Sequence, residues 1–239
     1  MPDTTAKIQF TANGAALDLA GVQFVINPYD EFGLTKALQL KEAHGGNVTV
    51  VTYGDASVEA TLRKALAIGA DDAVRLDGVP TDALQVASEL ASYADGQGYD
   101  LIICGQESID YNGGIVPGAL AAKLQMPFVN ACIGLEISGS SATLLREMDG
   151  GKEELTATLP MVIGGKKGLV EESELRIPNM RGIMTARTKP LAVTALAGAA
   201  ATTSALSFAK PAPKAAVQLI DASNLDELVR RLHEEAKVI

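Results

Sequence analysis

A glycine-rich stretch near the middle of the chain has the residue types that bind phosphate. It spans residues 105–118 and reads GQESIDYNGGIVPG. The apolar run 99–104 before it is typical of a buried parallel strand, and residues 119–124 after it favour a helix. A turn of this kind offers free backbone N–H groups beside the positive end of a helix dipole. Neither common nucleotide fingerprint is present, so the stretch alone indicates either a phosphate site or a plain tight turn.

Other reactive side chains are scarce. The two histidines, His44 and His233, lie in polar helical contexts, and the two cysteines, Cys104 and Cys132, lie in apolar surroundings. The chain therefore has almost none of the His and Cys side chains that a metal site or a Ser-His-Asp triad requires. We therefore expect no catalytic residues and no metal, and reduced cysteines fit a cytoplasmic protein.

Composition and charge restrict the partners. The chain has 239 residues, 47% of them hydrophobic, and a net charge of −9 with no dense basic cluster. Nucleic acid binding needs Lys and Arg gathered on one face, so we expect none. There is no apolar run of about 18 residues and no signal peptide pattern at the start, so we expect no membrane insertion.

The elements that position the glycine-rich stretch alternate between helix and strand. Asn27 and Pro28 favour a helix start, acids follow in the first turn, and Gly45 ends that helix. Further predicted elements are strand 47–53, helix 57–68, strand 73–76 and helix 82–95. This alternation predicts an α/β fold, a doubly wound and mostly parallel sheet with helices on both faces.

The pattern changes after Pro127. Residues 128–137, 141–146 and 153–158 are typical of antiparallel hairpins, and 160–164 of another buried strand. Residues 166–190 have little periodicity and indicate a long, functional loop. We therefore divide the chain into an α/β domain, 1–190, and a linker with a C-terminal arm helix, 191–239.

The arm ends in an amphipathic helix, predicted over 224–236. Its apolar side chains, Leu225, Leu228, Val229 and Leu232, fall on one stripe. This stripe must be buried either on the chain's own domain or on another chain.

Five stretches, in the same order and spacing, resemble the β-subunits of the electron transfer flavoproteins. The resemblance covers nearly the whole chain and lies in VINPYDE (25–31), TLRKALAIGAD (61–71), GQESID (105–110), REMDGG (146–151) and IPNMRGIMTAR (177–187). Family members usually begin with one more short strand. We therefore expect the first, central strand of the sheet to be missing from this chain.

The resemblance implies a heterodimer with an α-subunit. It implies an FAD shared with that subunit, an AMP or a second FAD held by this chain, and docking of acyl-CoA-type or other dehydrogenases. The positions that match the family's nucleotide contacts are Asn27, Pro28, Tyr29, Asp30, Tyr53, Gly105, Gln106, Ile109, Asp110, Asn112, Gly113, Gly114, Ile115 and Val116.

Some of these positions have simpler interpretations. Asn27 to Asp30 are also a helix cap, and Asp110 is also a turn carboxylate that caps the next helix. Ile115 and Pro117 depart from the family pattern, because Ile lacks an amide side chain and Pro lacks an N–H. Phosphate would then bind the N–H groups of residues 113–116.

Three further residues have roles by resemblance. Glu147 matches a glutamate that contacts the flavin domain of the α-subunit; the alternative is a solvated hairpin carboxylate. Ile177, followed by Pro178, matches an apolar anchor that docks dehydrogenases; the alternative is that Ile177 folds back on its own loop.

A second hypothesis for the whole chain is a universal-stress-type adenine-nucleotide-binding homodimer. The hairpins, the Ile177 loop and the arm argue against it, because such proteins stop near the last strand of the domain.

Overall fold

The computed structural model describes residues 1–214 and 216–239, and in it helices and strands alternate through the first half of the chain. Asp82 caps the third helix through the N–H of Gln85. The first helix ends at Gly45, as the sequence predicts. These elements are α1 (Pro28–His44), β1 (Thr49–Gly54), α2 (Glu59–Ile68), β2 (Asp72–Asp77), α3 (Ala83–Ala94), β3 (Leu101–Gly105) and α4 (Val116–Leu124).

The second half is mostly strand. Its elements are β4 (Phe128–Ser138), β5 (Ser141–Met148), β6 (Gly151–Thr158), β7 (Met161–Gly165), α5 (Met180–Ala186), β8 (Leu191–Ala195) and α6 (Leu225–Arg230). β4, β5 and β6 form the predicted antiparallel hairpins, and β7 is buried throughout. The predicted α/β class is confirmed.

The strands form two sheets with a cavity between them. One sheet has the order β8-β2-β1 and is parallel; the other has the order β3-β7-β4-β5-β6, parallel from β3 to β4. Within the described ranges, β1 pairs only with β2 and β3 only with β7. Residues 49–53 of β1 and Leu101 and Ile103 of β3 line a cavity of about 1330 Å³. Each sheet therefore has an open parallel edge on this cavity.

The core has a centre in each sheet. Leu66 of α2 and Ala73 of β2 are almost fully buried under the first sheet, together with Leu38 of α1. Leu144 and Met161 are fully buried in the second. Burying a side chain of this size contributes about 1.5–3 kcal/mol, so these layers hold the strand ends in place.

Two predicted irregular regions contain regular structure. Residues 180–186, inside the predicted loop 166–190, form helix α5, with Asn179 as its N-cap. Residues 191–195, at the start of the predicted linker, form β8 on the edge of β2. The interpretation of these residues as linker was wrong because a short edge strand rich in Ala and Thr is half exposed and has no strong apolar alternation.

The tail helix is present over nearly the predicted range, from Leu225 to Glu235. α6 begins after Asn224, which caps it, and continues into a π-helical turn over Arg231–Glu235. Leu225 and Val229 are 62% and 54% exposed. The apolar stripe of this helix is thus not buried on its own domain. In the described part of the chain, no helix combines the length and apolarity that a bilayer crossing requires.

Candidate functional site

Asn27 joins the start of α1 to the glycine-rich stretch. It occupies the N-cap position, but its side chain makes no capping hydrogen bond. Its Nδ2 instead donates to the Glu107 carbonyl at 2.8 Å, and its Oδ1 accepts the Ile109 N–H at 3.2 Å. The interpretation of Asn27 as a side-chain cap was therefore wrong, because a contact 80 residues away competes for the same amide.

Asp30 makes the second tie between the same elements. Its Oδ1 accepts the Gly105 N–H at 2.6 Å and its Oδ2 accepts the Asn27 amide at 2.9 Å. Burial raises the pKa of this carboxyl, and the hydrogen bonds from Asn27 and Gly105 oppose that rise. α1 and β3 are thus tied by the Asp30 carboxylate at the carboxyl end of the strand.

The raised pKa of Asp30 predicts a pH dependence of stability. A raised carboxyl pKa contributes stability that is fully present below the ordinary value near 3.8 and is lost as pH rises through the folded value. The Asp30→Asn side chain does not titrate. Its free energy of unfolding should therefore rise relative to that of the wild type as pH increases from about 4 to 7. Urea unfolding across that range measures this. Asp95→Asn, at an exposed acid, is the control, and parallel curves for wild type and Asp30→Asn would contradict the expectation.

The start of α4 has unused backbone donors. Within residues 1–214 and 216–239, the N–H groups of Gly113, Gly114 and Ile115 have no acceptor. Gly114 and Asn112 adopt positive φ angles of 48° and 52°, which turn the chain sharply ahead of the helix. Free N–H groups at a helix start are what a phosphate binds. Pro117 lies in the first turn of the helix, where its missing N–H breaks no helical bond.

Asp110 stays within its own turn. Its Oδ1 accepts the Ser108 hydroxyl at 2.5 Å and the Tyr111 N–H at 3.1 Å. It does not cap α4, as one sequence interpretation had it, because the turn of residues 108–111 holds its carboxylate. Asn112 bonds the Glu107 carboxylate at 3.3 Å, so this loop is braced internally.

The remaining predicted nucleotide-binding residues lie on several different elements. Pro28 and Tyr29 lie in the first turn of α1, and the Gln106 N–H binds the Gly165 carbonyl at 2.8 Å, which ties the loop to β7. Tyr53 is 8% exposed and its hydroxyl donates to the Val79 carbonyl at 3.2 Å. It lines the cavity between the sheets, as do Asn27 and Asp30, but makes no hydrogen bond with either of them.

One polar group beside this site was missed by sequence reasoning. The Oδ1 atom of Asn130 in β4 is buried and has no hydrogen-bond partner within the described ranges. It packs against the Cα of Gly164, a residue that also lies close to the Gln106 backbone. An orphaned buried acceptor of this kind suits the hydroxyl or amine of a ligand. Nothing in the local sequence around Asn130 distinguishes it from an ordinary strand residue.

The residues present fit the phosphate end of a nucleotide. Three free N–H groups and the α4 dipole supply the anion site. Ile115 is 52% exposed and brings no polar side chain, so any contact to phosphate at this position comes from its backbone. Among the residues that the structure covers, no group of three His, Cys, Asp or Glu side chains is placed to bind a metal ion.

A second surface lies on the loop between β7 and β8. Ile177 is 81% exposed, so it does not fold back on its own loop. The Arg176 N–H donates to Thr35 at 3.2 Å, and the Arg176 guanidinium pairs with Glu42 at 2.8 Å, which fixes the loop to α1. Met180 and Met184 of α5 are 75% and 69% exposed on the same segment. Sequence reasoning had not singled out these two methionines.

Glu147 is paired with a charge of its own chain. Its carboxylate forms an ion pair with Lys166, and this partner lowers the pKa of Glu147. Glu147 is an exposed carboxylate on the β5–β6 hairpin, and the end of this hairpin lies beside Lys166, the residue that follows β7. Lys166 also lies within the electrostatic influence of Tyr29 and Glu107. The pair is therefore close to the glycine-rich stretch.

Comparison with known proteins shows what the chain is similar to. A family model described as the electron transfer flavoprotein domain matches residues 15–199. The electron transfer flavoprotein subunit beta of Bacillus subtilis (strain 168) is 38% identical over 193 residues, 79% of this chain and 73% of that protein.

Two further relatives carry the same name. The protein of Syntrophomonas wolfei is 37% identical over 216 residues, 90% of this chain and 84% of its own length. That of Bradyrhizobium diazoefficiens is 33% identical over 246 residues, 99% of this chain and 96% of its own.

Proposed function

The chain belongs to the electron transfer flavoprotein family as a beta subunit, and from this premise we propose that it holds an adenine nucleotide, completes an FAD site with an alpha subunit and docks dehydrogenases. The family carries electrons, and the name of the subunit implies an alpha partner. The nucleotide, AMP or a second FAD, the shared FAD, the acyl-CoA-type or other dehydrogenases and a cytoplasmic location are the parts that we propose. The stress-type homodimer has no support among the relatives named above.

The free N–H groups before α4 are the observation that carries the nucleotide proposal. Asn27 and Asp30 hold the loop of residues 105–110 against α1, so the loop is fixed before any ligand arrives. A preformed donor set binds an anion without a large ordering cost. The absence of a cationic side chain among these donors favours a buried nucleotide with few phosphates over a triphosphate.

Co-expression with the alpha subunit tests the proposal. We expect a heterodimer with the visible absorption bands of flavin. Denaturing it should release FAD and AMP in equal amounts, or two FAD per heterodimer, and chromatography of the released fraction separates these cases. A complex without any adenine nucleotide beyond the shared FAD would contradict the nucleotide site, and no flavin-bearing complex at all would contradict the proposed function.

The exposed apolar residues around α5 support dehydrogenase docking. We call Ile177, Pro178, Met180 and Met184 the anchor surface. Its flanks carry basic residues such as Arg181 and Arg187, and no acidic residue lies between positions 175 and 190, in a chain whose net charge is −9. An apolar tip with basic flanks fits an apolar pocket with an acidic rim.

Replacing Ile177 by alanine tests the anchor surface. Truncating an apolar hot spot costs about 1.4 kcal/mol or more, which is tenfold in affinity. We expect the rate of electron transfer from a dehydrogenase, below saturation, to fall about tenfold while bound flavin is unchanged. Val79→Ala, at an apolar residue that is 70% exposed elsewhere, is the control. Loss of flavin in Ile177→Ala would count against the anchor role.

Glu147 is proposed to contact the flavin-bearing domain of the alpha subunit. Its pairing with Lys166 keeps the carboxylate ionised and at a fixed place on the hairpin. A cationic group of the partner would compete with Lys166 for that carboxylate. Because exposed ion pairs contribute only about 0–1 kcal/mol, such an exchange costs little.

A further inference from the structure

A buried acid on α3 holds the backbone of the segment that follows β8. Glu89 is 2% exposed, and its carboxylate accepts three successive N–H groups, those of residues 197–199, at 2.6, 2.9 and 2.5 Å. Gly198 adopts a φ of 94°, a conformation that side chains rarely take, and this helps to turn the three N–H groups toward one carboxylate.

Asp82, the N-cap of α3 about two turns before Glu89, makes a second set of contacts with the same segment. Its Oδ1 caps α3 through the Gln85 N–H at 2.7 Å. Its Oδ2 accepts the N–H groups of Thr202 and Thr203, the latter at 2.8 Å, and the Thr202 hydroxyl at 3.1 Å. Because residues 191–195 form β8, the arm comprises residues 196–239. We call the contacts of Glu89 and Asp82 with residues 197–203 the arm latch.

Neither acid of the latch is paired with a cation within the described part of the chain. A buried carboxylate without a cation is costly unless hydrogen bonds satisfy both oxygens. Here the donors are all backbone N–H groups and one hydroxyl of the arm. Besides the capping of α3 by Asp82, the contacts of these two acids fix where the arm leaves the domain.

The arm is held again further on. The Phe208 N–H donates to the Gly14 carbonyl at 2.7 Å, and the Phe208 ring stacks on Phe10 with centroids 5.5 Å apart. Lys210 bonds Gln9 at 2.5 Å. Residues 197–210 thus follow a defined course over the domain, and the apolar side chains beyond or beside it remain uncovered. These are Leu206 at 93% exposed, Val217 at 83%, Leu219 at 93% and Leu225 at 62%.

We propose that Glu89 and Asp82 are positioning residues for assembly with the alpha subunit, a role that rests on the proposed function. The latch orders the first part of the arm before the subunits meet. The uncovered Leu206 and the apolar side chains further along the arm then reach the partner subunit from a fixed point on the domain. Ordering a segment during association lowers affinity, and a segment that is already ordered avoids that cost.

Glu89→Gln tests the latch, since it keeps the shape of the side chain but removes the charge and brings an N–H₂ toward backbone N–H groups. We expect hydrogen exchange at residues 197–199 to quicken at least tenfold, and the dissociation constant for the alpha subunit to rise about tenfold. Asp95→Asn removes the same charge at the far end of α3, where the side chain makes no hydrogen bond in the described structure, and should match wild type.

Gly198→Ala tests the latch from the other side. A Cβ there meets no atom within 4 Å, so the change strains only the backbone at φ 94° and leaves α3 untouched. It should weaken assembly as Glu89→Gln does, and it keeps the test valid if Glu89→Gln folds poorly. Faster exchange at 197–199 with unchanged affinity would overturn the latch alone. A wild-type chain that binds no alpha subunit would overturn the proposed function as well.

Discussion

Gly105→Ala is expected to disrupt the junction between α1 and the glycine-rich stretch and to lower nucleotide affinity at least tenfold. A Cβ at this position would lie 2.8 Å from the Asn27 Nδ2 and 2.8 Å from the Tyr29 Cβ. Neither neighbour is the free end of a flexible side chain, because Asn27 is held at three partners. Overpacking of this kind costs about 1–3 kcal/mol. Moving α1 away would also break the Asp30–Gly105 bond.

Gly151→Ala is the matched control for this substitution. Gly151 is the first residue of β6, outside the residues assigned to the nucleotide, and a Cβ there meets no atom within 4 Å. Thermal unfolding and the amount of nucleotide that co-purifies with the heterodimer measure the two variants side by side. Equal nucleotide content in the two variants would show that the contact between Gly105 and Asn27 does not support the site.

The second large effect is a gain of stability from filling the cavity between the sheets. An extended segment of six valine and isoleucine residues, fused ahead of Met1, is expected to raise the melting temperature by about 5–10 °C. Each apolar side chain that it buries contributes about 1.5–3 kcal/mol, against about 1–2 kcal/mol for ordering each residue. In a domain of this size each kcal/mol shifts the melting temperature by about 2–4 °C.

The position of Met1 sets the direction of such a segment. Its ammonium group donates to the Val25 carbonyl at 3.0 Å and lies near Asp30, which binds the last residue of β3. A segment that enters the cavity and ends at Met1 thus runs parallel to β1 and β3, and both open edges are available to it. The control is the same segment with proline at its second and fourth positions, which cannot complete the ladder. Equal melting temperatures for both fusions would contradict the prediction.

The parts of the fold that sequence predicts well are those with local signals. α1 starts at Pro28 and stops before Gly45 because proline and glycine act on their own backbone. β8 has no such signal: its five residues pair with β2, which lies more than a hundred positions earlier, and only that pairing makes them a strand. The division of the strands into two sheets likewise depends on which strand edges pair. The periodicity of apolar residues along the sequence carries no information about that pairing.

The candidate site shows the same limit. The donor loop of residues 105–116 was recognised from its glycines and from resemblance. The bonds that position it were not, because the Asn27 amide has its partner 80 residues away. The arm latch was not recognised for the same reason, because the Glu89 carboxylate has its partners 108 to 110 residues away. A buried polar residue with a distant backbone partner looks, in sequence, like any polar residue on a helix.

The stacking of Phe10 on Phe208 has a consequence for how the chain is made. Gln9 and Lys210, which bond beside the stacked rings, are 201 positions apart. At a synthesis rate of about 5–20 residues per second, the segment around Phe10 waits roughly 10–40 seconds for its partner to be translated. Throughout that interval its apolar face is open to chaperones and proteases. A segment of the arm that leaves the ribosome late thus completes the packing of one of the first segments to leave it.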